Sequence, residues 1–211
     1  TGTDTTPKSN TLSYEHIDAL LEASGDLERV IIKGGEPLYD KKSLYFLERF
    51  KNYNSTANVN MVTNLTMLNE KKLDMLKTYN KMNIITSCDG IGKVYEWIRG
   101  YSWNKLEQNI DKCIDNGLRI SVQFTITAYN IAQLETMYQH YKNKGIGVNF
   151  IFANEPWLHY SNVGNTKLQR VIEELTAPVT IEMQDPWNAE GFASYTSIMN
   201  KQRGFDWADI C

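Results

Sequence analysis

Cysteine and histidine are scarce in this chain of 211 residues, with three of each: Cys88, Cys113, Cys211, and His16, His140, His159. An odd number of widely spaced cysteines excludes a disulfide framework, and their spacing supplies no local thiolate cluster. The histidines have no second ligand at zinc-binding spacing, so no metal ligand is assigned. No run approaches the roughly 18 apolar residues that cross a bilayer. The 22 basic and 25 acidic residues, a net charge of −3, are dispersed. That dispersion argues against nucleic acid or a membrane surface as partner. The opening TGTDTTPKSN lacks the charged lead and apolar core of a signal peptide, so a cytoplasmic protein with reduced thiols is expected. Because Thr1 is not Met and the first ten residues are polar, the sequence is expected to start inside a longer protein.

At 42% hydrophobic, the chain can bury one core plus a small appendage. Strand and helix patterns alternate five times, at the roughly 30-residue interval of a βα barrel unit. Strands are expected at 29–33, 58–63, 82–87, 118–127 and 148–153, from their β-branched and aromatic content. A leading helix carries Ile17, Leu20 and Leu21 and stops at Gly25. Between strands, helical spacing is shown by Leu44, Leu47 and Phe50, then by Leu73 and Leu76 behind an Asn69 cap. The clearest stripe is Leu106, Ile110, Cys113 and Ile114, capped by Ser102 and closed by Gly117, which makes Cys113 a core residue. Leu134, Met137, Tyr138 and Tyr141 continue the rhythm. After Pro156 the pattern changes to a helical tail, through Leu168, Val171, Ile172 and Leu175 and again through Phe192, Tyr195 and Met199, interrupted by Pro178 and Pro186. The tail is expected to pack over the open edge of the arc.

Parallel α/β folds bind ligands where strands end, so the segments after each strand carry the functional signal. In VIIKGGEPLYD, Gly34 and Gly35 let backbone approach a ligand, Glu36 offers an acceptor for an ammonium group, and Pro37 stiffens the turn. An ordinary strand-to-helix turn explains the same four residues. Asp89 with Gly90 likewise reads as a turn or as a site residue. Arg99, between Trp97, Tyr101 and Trp103, suits either carboxylate pairing with ring stacking or simple surface packing. Gln123, Thr125 and Thr127 alternate, so they share a face.

The GGEP segment, followed in order by VTNLT and TSCDGIGKVYEWIRG, resembles the radical S-adenosylmethionine (radical SAM) family. VTNLT is similar to the VTNGT of an uncharacterised twitch-type branch, and the third segment to its SIDG…YEYIRG; here Cys88 replaces the usual Ile. The resemblance implies an α/β fold: a partial (β/α) TIM-like barrel with five of the family's six parallel βα units. Residues 1–160 would be that barrel without its first strand, and 161–211 a C-terminal helical tail. It also implies that Gly34, Gly35, Glu36 and Pro37 hold the methionine amino group of S-adenosylmethionine, with Asn64 on the rim. Ser87 and Asp89 would meet the ribose or the substrate and Thr125 the cofactor, and the backbone of residues 152–154 would approach adenine; Arg99 joins these cofactor-binding candidates on its own setting among aromatic residues.

The family's C-x-x-x-C-x-x-C loop, which holds a [4Fe–4S] cluster, is not in the sequence. The intact parent is expected to cleave S-adenosylmethionine reductively at that cluster to a 5′-deoxyadenosyl radical, with an electron donor and an unknown substrate. This chain alone is expected to be inactive, and its catalytic residues are not assigned. Two alternatives remain open: a degenerate nucleoside- or peptide-binding barrel, and an ordinary barrel enzyme with Glu36 and Asp89 as acid and base.

Overall fold

The computed structural model describes residues 12–153, 189–206 and 209. Helix α1 spans Tyr14–Glu22, followed by β1 (Arg29–Ile32), α2 (Lys41–Tyr53), β2 (Asn58–Thr63), α3 (Glu70–Lys77) and β3 (Met82–Ser87). Then come α4 (Lys93–Arg99), α5 (Trp103–Asp115), β4 (Arg119–Ile126), α6 (Leu134–Asn143), β5 (Gly147–Phe152) and α7 (Ala189–Arg203). All four strand pairs are parallel, in the order β1-β2-β3-β4-β5. Because the strands are parallel and in sequence order, every βα loop opens at the same end of the sheet.

Side chains alternate across the sheet. Val59, Met61, Ile84, Val122, Phe124 and Ile126 are buried in one core with Leu47, Phe50, Leu73, Leu76, Leu106, Ile110 and Met137 from the helices. The opposite face carries Asn60, Asn83, Ile85, Ser87, Ser121, Gln123 and Thr125 at intermediate exposure. Among the described residues one face is thus helix-covered and the other open, an arc of a TIM-like α/β barrel with a C-terminal helix.

Caps follow the expected residues. Asn69 accepts from the Lys72 N–H and Ser102 from that of Lys105, each starting its helix. Cys113 is fully buried in the core, as its stripe predicts. Gly25, expected to close the leading helix, does not. That helix ends at Glu22 with Ala23 as its cap, and the Ser24 hydroxyl bonds the Leu21 carbonyl. Helix α4 is an element the sequence does not announce, because GKVYEWIR is short and Gly92 offers no side-chain cap. Strands expected at 29–33, 118–127 and 148–153 each shift by a residue at one or both ends. Helix α7 packs on α4, where Met199 joins a small core with Trp97 and Tyr129. The rest of the expected tail, including Leu168, and the boundary at 160/161 lie outside the described residues.

Candidate active site at the strand ends

The loop after β1 turns on two glycines at positive φ, +100° at Gly34 and +48° at Gly35. Among the described residues, chain neighbours aside, no atom lies within 4 Å of where a Cβ would stand on either. Glycine is needed here for backbone conformation, and the space above the loop is open to a ligand. Pro37 is buried beneath. The Glu36 carboxylate ties the loop to the next strand. Its Oε1 accepts from the Leu38 N–H at 3.0 Å and the Thr63 hydroxyl at 2.5 Å, and its Oε2 from the Asn64 N–H at 2.8 Å. A carboxylate has about four acceptor positions, so one remains for a ligand donor. Asn64 Oδ1 accepts from the Thr66 N–H and hydroxyl, closing the VTNLT turn. Leu65 in that turn has φ +57°, the left-handed conformation that suits the glycine of VTNGT. Its fully buried side chain and the 2.9 Å bond from Asn109 to its carbonyl hold it there. A groove of about 1000 Å³ runs beside the loop, past Ile31, Gly34, Gly35, Glu36 and Tyr39.

A second cluster forms after β3 and β4. Asp89 is 5% exposed; its Oδ1 accepts from the Thr125 N–H at 2.8 Å and its Oδ2 pairs with Arg99 at 2.5 Å. Burial pushes this carboxyl above the usual range, against the opposing pull of Arg99 and Thr125. Asn130, fully buried, donates to the Asp89 and Thr125 carbonyls and accepts from the Thr127 N–H, locking the two strand exits together. A Cβ on Gly90 would meet Val94 at 2.8 Å, so α4 packs directly on this turn. Arg99 and Thr125 border a cavity of about 430 Å³ walled by Tyr129, Phe152 and Tyr195.

Strand register links the clusters. Thr63 pairs Thr86, so Asn64 lies beside Ser87; Ser87 pairs Gln123, and Gln123 pairs Asn149. This polar row crosses the open face just below the strand ends. The side chains of Ser87, Gln123 and Asn149 make no hydrogen bond among the described residues.

Glu36 and Asn64 therefore meet on one side, and Asp89, Arg99 and Thr125 on the other, with Ser87 between. Arg99 pairs with a carboxylate, one of its two expected roles, and the partner is Asp89, which the sequence does not identify. Thr63 and Asn130 are site residues that sequence reasoning misses. Thr63 follows strand alternation onto the helix side and reaches Glu36 only because the loop folds back. Asn130, which no motif singles out, serves three backbone groups across two strand ends. Cys88 points away from the open face, fully buried beside the Tyr141 hydroxyl and the Gly90 carbonyl. Burial pushes the Cys88 and Cys113 thiols up to about 12. Among the described residues no three His, Cys, Asp or Glu are placed to hold a metal, so an iron–sulfur cluster does not fit them.

Comparison with known proteins agrees with this geometry. Residues 3–142 match the Radical SAM superfamily. The chain is 23% identical over 185 residues to a GTP 3′,8-cyclase of Campylobacter jejuni (strain RM1221), covering 85% of the chain and 58% of that protein. It is 29% identical over 147 residues to a GTP 3′,8-cyclase of Alkaliphilus oremlandii (strain OhILAs), covering 66% of the chain and 45% of that protein. The chain thus spans about half the length of these relatives. Among solved structures, native anSMEcpe with bound AdoMet superposes with a TM-score of 0.56 at 15% identity, over 73% of the chain and 46% of that protein. Streptococcus suis SuiB bound to precursor peptide SuiA gives 0.56 at 15%, over 70% and 35%. These two likenesses speak for the fold. The match over residues 3–142, with GGEP, VTNLT and the DG…IRG segment at successive strand ends, shows that the chain belongs to the radical SAM superfamily of enzymes.

Proposed function

We propose that the strand ends of this chain form the S-adenosylmethionine platform of a radical SAM enzyme whose substrate is not yet known. The observation that carries this reading is the Gly34–Gly35 turn, open above its backbone, with a Glu36 carboxylate held by three internal donors and one acceptor position left. That combination suits a ligand ammonium: the glycines admit it and the carboxylate is already oriented, so little side-chain entropy is lost on binding. Pro37 fixes the exit of the turn. Asn64 keeps its amide NH₂ for the rim, and Ser87 offers a hydroxyl on the open face. Asp89 fixes Arg99, which leaves further guanidinium donors toward the cavity beside Thr125 for a carboxylate. In a protein that carries a [4Fe–4S] cluster, the reduced cluster would supply one electron to the bound sulfonium, breaking its C5′–S bond to give methionine and a 5′-deoxyadenosyl radical. The residues in this chain bind and orient it; no cluster ligand is assigned among them. The division into a barrel over 1–160 and a tail from 161 belongs to the same proposal, as does an electron donor for the intact parent. The alternative is a nucleoside- or peptide-binding barrel without cluster chemistry, and a C-x-x-x-C-x-x-C upstream of Thr1 in the reading frame would decide against it.

The test is titration calorimetry with two ligands. S-adenosylhomocysteine carries the amino-acid end and 5′-methylthioadenosine lacks it. Glu36→Ala should weaken the first about ten- to hundredfold, the loss of a charge-assisted hydrogen bond, and leave the second unchanged. Equal effects on both ligands, or none on either, would remove the assigned role of Glu36.

A further inference from the structure

Arg99 ends α4, and a basic residue in the last turn of a helix can fold back to hydrogen-bond the terminal carbonyls. Here two of those carbonyls already accept from another arginine. Arg203, the last residue of α7, donates from Nε to the Trp97 carbonyl at 2.8 Å and from a terminal nitrogen to that of Ile98 at 3.4 Å. Its guanidinium lies so close to Gly100 that a Cβ there would be 2.7 Å from Cζ. Gly100 also has φ +65°, so both the backbone and the arginine require glycine after Arg99. The Asn200 side-chain oxygen accepts from the Trp97 indole N–H at 2.9 Å, fixing the register of α7 on α4.

We propose that Arg203 is a positioning residue for the cofactor site: by occupying the carbonyls at the end of α4, it leaves Arg99 to Asp89 and to a ligand carboxylate. The inference rests on the reading of the strand ends as an S-adenosylmethionine platform. One argument supports it: Arg203 already donates to acceptors that the helix end leaves without an intrahelical partner, so Arg99 has less to gain by turning back. The C-terminal helix, far from Arg99 in sequence, thereby sets the direction of a site residue.

A double-mutant cycle on the full chain tests this, with S-adenosylhomocysteine as the titrant. Arg203→Ala should weaken binding about three- to tenfold, the scale of coupling within one network. In an Arg99→Ala background the same change should add no further loss. Arg203→Lys, which keeps the charge and one donor, should fall between wild type and Arg203→Ala, and it tests the idea if the alanine variant does not fold. Asn200→Ala, which loosens α7 but leaves the carbonyls capped, should lower the melting temperature with affinity unchanged. Wild-type affinity in Arg203→Ala, or equal losses with and without Arg99, would overturn the positioning role. No binding by the wild-type chain would instead overturn the platform reading, and this inference with it.

Discussion

Asp89 is almost fully buried, and burial outweighs the Arg99 ion pair and the Thr125 N–H, so its carboxyl is raised above the ordinary value. Its folded pKa lies above the ordinary 3.8, so the native state binds the proton more tightly than the unfolded chain. The sign follows from linkage. The contribution of Asp89 to stability is most favourable below 3.8 and is lost as pH rises through the window from there to the folded pKa. Asp89→Asn should remove that fall and be at least as stable as wild type at neutral pH, since an amide oxygen still accepts from Thr125. Urea unfolding across a pH series checks this; an unchanged pH profile with a large loss at neutral pH would mean the ion pair outweighs burial. At this scale the sequence is partly legible. Asp89, Arg99 and Thr125 each stand out in it, because strand ends are where ligands bind. Their mutual bonds do not, because they depend on the path of α4 and on Asn130, whose three backbone contacts leave no trace in local spacing.

Elements reveal the same division. Strands and the helices with long apolar stripes are readable from period alone, as are the Asn69 and Ser102 caps. Helix α4 is not, because seven residues behind a glycine cap give too short a pattern, and its stability comes from packing on Gly90 and α7. The anchor of β1 is equally hidden. Asn54, 5% exposed, donates to the carbonyls of Ser24 and Leu27 and accepts from the N–H groups of Thr56 and Ala57. One side chain thus joins the turn before β1 to the start of β2. Asn54→Ala should lower stability by about 2–4 kcal/mol, since several buried groups lose their partner together. Chemical denaturation would measure it, with faster hydrogen exchange expected around residues 24–28. A loss under about 0.5 kcal/mol would show that water replaces these bonds freely.

On the scale of the whole molecule, five parallel strands in sequence order bring separated motifs to one rim, as the alternating pattern implies. The order of the motifs is legible; the row from Asn64 through Ser87 and Gln123 to Asn149 is not, because register is fixed by pairing across the sheet. The central claim is that this rim, and no other surface, receives S-adenosylmethionine. Chemical-shift mapping on the isotope-labelled chain tests it most directly. Titration with S-adenosylmethionine should move the amide signals of Gly34, Gly35, Glu36, Ser87, Asp89, Arg99 and Thr125, and leave those of Asn58, Met82, Arg119 and Gly147, at the opposite ends of the strands, in place. Shifts confined to the opposite ends, or none at saturating ligand, would contradict the account.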